Sequence, residues 1–211
     1  MMRKSAYSLI LATCVAGPLA AQEVGITDTM SKATFTINGQ TFTIERNQDQ
    51  SAQLSGEFTK TSRACPPFCI HPMEAAPGVE TVGELEVLDF LKTDVASGKG
   101  LLIDARLPDF YANSTIPGAV NVPFSTLDSA NPYLGDILQA LGAAPIGGGF
   151  DFSGAVDLMV FCNGPWCDQG PRAIRHLISA GYPAAKLHYY RGGMQDWLIL
   201  GLTTIQPASN G

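Results

Sequence analysis

Apolar and polar residues alternate along Ala33-Thr34-Phe35-Thr36-Ile37 and again along Gln40-Thr41-Phe42-Thr43-Ile44, on either side of Asn38-Gly39. A period of two is the pattern of a strand with one buried face, and an Asn-Gly pair supplies the two positive-φ positions of a type I′ turn. A β-hairpin is expected here. Residues 47–60 are polar and poorly patterned. Beyond them Thr81-Val82-Gly83-Glu84 reads as a capping box, and Leu85, Leu88, Leu91 and Val95 follow at helical spacing. Residues 101–104 and 156–161 are short apolar runs that predict strands, as does 187–190. Helical stretches are expected over 131–141, 171–180 and 194–200, with a break at Pro117-Gly118 before 119–122 and a Gly-rich link over 144–154. Strands that alternate with helices predict an α/β fold, a parallel sheet flanked by helices on both faces. In such sheets the site lies beyond the carboxyl ends of the strands, which directs attention to Asp104, Arg106 and the loop that starts at Cys162.

A chain of 211 residues accommodates one ordinary domain and an appendage. The expected organisation is a main domain over 79–206, a small β-containing extension over 22–78 that packs on it, and a tail over 207–211. With 45% apolar and 15% charged residues the composition is that of a globular protein rather than a disordered one. A net charge of −6 without any Lys/Arg run excludes the basic footprint that nucleic acids or anionic membrane surfaces require.

Met1-Met2-Arg3-Lys4, the mainly apolar stretch to Ala16, and Gly17-Pro18-Leu19-Ala20-Ala21 read as the three regions of a signal peptide cleaved near Ala21. The expected location is the periplasm or the exterior, with no membrane span left in the mature chain. Once Cys14 is removed, Cys65, Cys69, Cys162 and Cys167 remain, an even number in an oxidising compartment. Cys65 and Cys69 are candidates for a local disulfide. Cys65-x₃-Cys69-x-His71 also has the look of a metal cluster, but it offers only three ligands, and no metal is expected.

Leu101-Leu102-Ile103-Asp104-Ala105-Arg106 followed by Ile116-Pro117-Gly118-Ala119-Val120-Asn121-Val122-Pro123 resembles the first half of the rhodanese-like domain family. The strand, cysteine loop and helix over 160–181, then Arg191-Gly192-Gly193-Met194-Gln195-Asp196-Trp197, resemble the second half. The motifs cover about the last 130 residues in family order. Ser114-Thr115 departs from the Gly-His usual in the family before Ile-Pro-Gly-Ala. The resemblance implies sulfur transfer through a cysteine persulfide, from a small anionic donor such as thiosulfate to a thiol acceptor, with no cofactor.

The residues agree with that chemistry. A cysteine between a strand end and a helix N-terminus is surrounded by backbone N–H groups that stabilise a thiolate and, after attack on a donor, the persulfide anion. The loop Cys162-Asn163-Gly164-Pro165-Trp166-Cys167-Asp168-Gln169-Gly170-Pro171-Arg172 holds two candidates. Cys162 directly follows the strand, which favours it as nucleophile with Cys167 as resolving thiol. Cys167 instead opens Cys-x-x-Gly-x-Arg, the family's familiar spacing. Asn163, Gly164, Trp166 and Gly170 are candidate substrate contacts, Arg172 a positive charge for an anionic donor, Arg106 a further contact or a brace, and Asp104 a structural residue. A thiol–disulfide oxidoreductase using Cys162 and Cys167, and a non-catalytic binding module on the same scaffold, are the competing functions. A phosphatase-type loop needs five residues between Cys and Arg; four separate Cys167 from Arg172 and nine separate Cys162 from it.

Overall fold

Five short strands build the main sheet, all parallel, in the order β3-β9-β8-β4-β5. They are β3 (Glu80–Val82), β4 (Gly100–Asp104), β5 (Val120–Asn121), β8 (Asp157–Phe161) and β9 (Leu187–Tyr190). The structure is a computed structural model and describes residues 23–65 and 69–207. The expected leader over 1–21 and most of the tail lie outside these residues.

Alternation along the central strands sends apolar side chains to both faces. Leu102, Met159, Phe161 and Tyr190 join one core with α1 (Glu84–Phe90) and α5 (Gly193–Ile199), through Val87, Leu88, Met194 and Trp197. Ile103, Leu158, Val160, Leu187 and Tyr189 join the other with α3 (Leu134–Ala140) and α4 (Gln169–Ser179), through Leu138, Ala173, Ile174 and Leu177. Two buried faces explain why these strands read as continuous apolar runs. The α/β fold with helices on both faces is the one expected.

The hairpin also forms, as β1 (Lys32–Ile37) and β2 (Gln40–Glu45), with Asn38 at φ 48° and Gly39 at φ 80°. Ala33, Phe35 and Ile44 turn inward and join the core that holds Val87, Leu91, Ile116 and Trp197. Burying a Phe or Ile side chain contributes about 1.5–3 kcal/mol, so the hairpin and the main sheet stabilise one another. Beyond β2, Arg46 bridges to Leu202 and Thr203 exchanges hydrogen bonds with Glu45.

Local readings differ in four places. Thr81 does not cap a helix: it pairs with Tyr189 in β3, and α1 starts after Gly83, whose N–H is taken by the Glu86 carboxylate at 3.0 Å. Extension on the sheet edge outcompetes the capping pattern because Val82 and its neighbours gain a strand partner in β9. A π-turn, Leu91–Val95, continues α1. The Gly-rich link contains a second small hairpin, β6 (Ala144–Ile146) and β7 (Gly149–Asp151), and Pro108 opens a short α2 (Pro108–Asn113).

Candidate active site

Cys162 is the first residue past the carboxyl end of β8, and Cys167 stands just before Asp168, the N-cap residue of α4. The five-residue offset is closed by the Cys167 N–H, which donates to the Gly164 carbonyl at 2.9 Å. Gly164 sits at φ 152°, and a Cβ there would lie 2.9 Å from Cβ of Gln195, so this corner of the loop requires glycine. The start of α5 holds the loop from beneath. Met194 N–H donates to Cys162 O at 3.0 Å and Gln195 N–H to Asn163 O at 2.9 Å. The Arg-Gly-Gly-Met-Gln stretch is thus a cradle for the cysteine loop.

Both thiols are free and buried, Cys162 at 1% exposure and Cys167 at 5%. The Cys162 thiol donates toward Cys167 O at 3.3 Å. The two thiols are neighbours, and their surroundings push them in opposite directions. Burial pushes the Cys162 thiol well up, and the neighbouring Cys167 adds to the effect against the amides of Gly170 and Gly164. The Cys162 thiol lowers Cys167, and the backbone N–H groups of Asn163 and Gln169 lower it further, against burial and the Asp168 charge. The surroundings thus disfavour the charged form at Cys162 and favour it at Cys167.

Around them the structure sorts the remaining candidates. Asn163 is buried and points its Nδ2 at Cys167 Sγ, 3.9 Å away. Gly164 and Gly170 direct their amides to Cys162 rather than to an outer ligand, and a Cβ on Gly170 would come within 3.3 Å of Cys162 Sγ. Trp166 is half-buried, with the Arg63 guanidinium 3.7 Å above its ring. Arg106 is not available as a substrate contact. It is 1% exposed and fully engaged, with Nε and Nη2 on the Asp104 carboxylate at 2.6–3.1 Å, Nη2 on Ser114 O at 2.6 Å and Nη1 on Asn163 Oδ1 at 3.3 Å. Asp104 also accepts the Thr115 hydroxyl at 2.8 Å, so the residue that departs from the family pattern still serves this carboxylate. Arg172 lies on the exposed side of α4, paired with Asp168 and 4.9 Å over the Phe124 ring. The cleft that Arg172 lines with Phe124, Asn131 and His176 includes neither cysteine.

The extension reaches the same loop. His71 N–H donates to Pro165 O at 2.8 Å, and Arg191 Nη2 donates to His71 O at 2.7 Å. Cys65 and Cys69 stand with Cα atoms 4.9 Å apart, within the span of a disulfide. These anchors escaped the sequence reading because Arg63, Arg191 and His71 are brought together only by the path of the chain over the sheet edge. Among the described residues no group of three or more His, Cys, Asp or Glu is arranged to hold a metal ion.

The model of the rhodanese-like domain matches residues 87–200. Human thiosulfate:glutathione sulfurtransferase is 34% identical over 108 residues, covering 51% of this chain and 87% of that protein. An HTH-type transcriptional regulator of Mycobacterium tuberculosis is 29% identical over 115 residues, covering 54% of this chain and 42% of the regulator, so the match spans less than half of that relative. Among solved structures, a human single-domain sulfurtransferase is similar at 31% identity, with 57% of this chain and 96% of that one covered and a TM-score of 0.41. The family match spans more than half of the sequence and contains both the β4 end and the two-cysteine loop, and the chain belongs to the rhodanese-like domain family.

Proposed function

We propose that this protein is a sulfurtransferase whose Cys167 thiolate takes a sulfur atom from a small anionic donor of the thiosulfate class and passes it to a thiol. The observation that carries the reading is position: Cys167 stands immediately before α4, where the N–H groups of Asn163 and Gln169 lower it, whereas Cys162 is the more deeply buried and is pushed up. Strand position alone favoured Cys162 as nucleophile. The proposed order is the reverse, because burial disfavours the charged form of Cys162.

In the first step the Cys167 sulfur attacks the outer sulfur of thiosulfate. The S–S bond of the donor breaks, sulfite leaves with its electron pair, and Cys167 carries a persulfide anion. The N–H groups of Asn163 and Gln169 then face added negative charge at the same place. In the second step an acceptor thiolate attacks the outer sulfur and leaves as its own persulfide, restoring the Cys167 thiolate. Both steps run on thiol chemistry alone and call for no metal or cofactor. Incubation with thiosulfate is expected to add about 32 Da, one sulfur atom, on the peptide that contains Cys167. The adduct should disappear in Cys167→Ser and persist in Cys162→Ser. An adduct that follows Cys162, or none at all, overturns the proposal.

Two free, buried cysteines in one loop favour a second reading, a thiol–disulfide oxidoreductase that uses Cys162 and Cys167. A reduction potential below roughly −300 mV for that pair marks the bond as structural and sinks this alternative. We also propose that the protein works outside the cytoplasm. The charged and apolar pattern of its first 21 residues and the closeness of Cys65 to Cys69 support this. Cell fractionation of the full chain against one starting at Gln22 tests it: equal cytoplasmic retention of both contradicts export.

A further inference from the structure

The ends of two neighbouring strands are linked by side chains that the sulfur-transfer steps do not use. Asp104 ends β4, and its carboxylate is fully buried. It holds the Arg106 guanidinium in two places, and Thr115 and the Arg106 N–H occupy the rest of its oxygens. The guanidinium is therefore fixed in its plane, and Ser114 O at 2.6 Å fixes it from the far side. Nη1 then projects across to the end of β8, where it meets Asn163 Oδ1 at 3.3 Å.

An arginine has five donors and no acceptor, so only the oxygen end of an asparagine amide is stable against it. The nitrogen end must turn the other way. There it faces Cys167 Sγ at 3.9 Å, and a primary amide nitrogen can only donate to a sulfur. The amide of Asn163 is 3% exposed, so water is not available to satisfy a flipped orientation.

We propose that Arg106 is a positioning residue for the Cys167 sulfur, acting through Asn163: by occupying the amide oxygen it forces the amide nitrogen to serve as a fixed donor to that sulfur. This rests on Cys167 as the reacting cysteine, and it adds the buried Asp104–Arg106 pair at the end of β4 as the element that orients a donor in the loop following β8. The same donor stabilises the sulfur before attack and after the persulfide leaves.

The experiment is a double-mutant cycle read by pH-dependent alkylation, with Cys162 and Cys167 followed separately by peptide mass. Asn163→Ala removes the donor. Arg106→Lys keeps a positive charge for Asp104 but loses the fork that spans to Asn163. Each single variant is expected to raise the Cys167 titration midpoint by about half to one pH unit, slowing alkylation roughly three- to tenfold below the midpoint. The double variant should show the shift of Asn163→Ala alone. Additive shifts, or an Arg106→Lys protein that melts earlier with an unmoved Cys167 midpoint, overturn the relay. Asn163→Asp provides the second arm: its carboxylate still accepts from Arg106 but cannot donate, and it should raise the midpoint at least as far as Asn163→Ala does. An Asn163→Asp midpoint below that of Asn163→Ala also overturns it. Alkylation reports the thiolate whether or not sulfur is transferred, so failure of the relay and failure of the sulfurtransferase reading are separate results.

Discussion

The Met194 backbone N–H meets the Cys162 carbonyl oxygen at 3.0 Å, so the start of α5 carries the first residue of the cysteine loop. Gly193 makes this approach possible. It sits at φ 54°, and a Cβ there would lie 2.3 Å from Cys162 O. Gly193→Ala is expected to cost about 2 kcal/mol or more in urea unfolding and to displace the loop. Gly147→Ala, with open space around it, is the control and should stay within about 0.5 kcal/mol. Equal effects of the two would remove the steric argument.

Iodoacetamide should distinguish the two thiols by pH. A lowered thiol is deprotonated at lower pH, so the Cys167 rate is expected to rise and level off below the ordinary value of 9.0. Cys162, pushed the other way by burial, should stay unmodified through that range in the folded protein. Peptide-resolved mass spectrometry reads both rates, and earlier modification of Cys162 contradicts the assignment.

Ile44→Ala tests whether the N-terminal hairpin is part of the main core. Ile44 is fully buried among residues of α1 and α5, and truncation of such a side chain costs about 2–5 kcal/mol. Calorimetry should show the whole transition moving to lower temperature as one peak. A separate early transition of the extension, with the main peak unmoved, would show instead that the two fold independently.

Asp104→Asn leaves the Arg106 guanidinium buried without its counter-charge. Breaking one side of a buried ion pair costs about 3–5 kcal/mol. Denaturant titration should show a loss of that order, larger than for Asp89→Asn, whose partner Lys92 lies at the surface.

Sequence alone carried the hairpin, because a period of two around Asn38-Gly39 is a local property of the backbone. It also carried the parallel sheet, since strands buried on both faces must read as apolar runs. The two-cysteine loop was legible for the same reason: its residues are neighbours in the chain. Thr81 shows where local reading fails. Its capping pattern is genuine, yet pairing with β9, more than a hundred residues away, makes it a strand.

Which cysteine is favoured as the thiolate was not legible. The choice depends on burial and on the direction of N–H groups from Asn163, Gly164, Gln169 and Gly170, and these exist only once β8, α4 and α5 are packed. Arg106 illustrates the same limit. As a charged residue after a strand it reads as a contact or a brace, and only the fold, where Asp104, Ser114 and Asn163 enclose it, selects the brace. Sequence determined the fold class, the family and the set of chemical groups in this protein, because each follows from residue type and local spacing. Tertiary structure decided the surroundings of each group, because solvation and hydrogen-bond direction depend on partners distant in the chain.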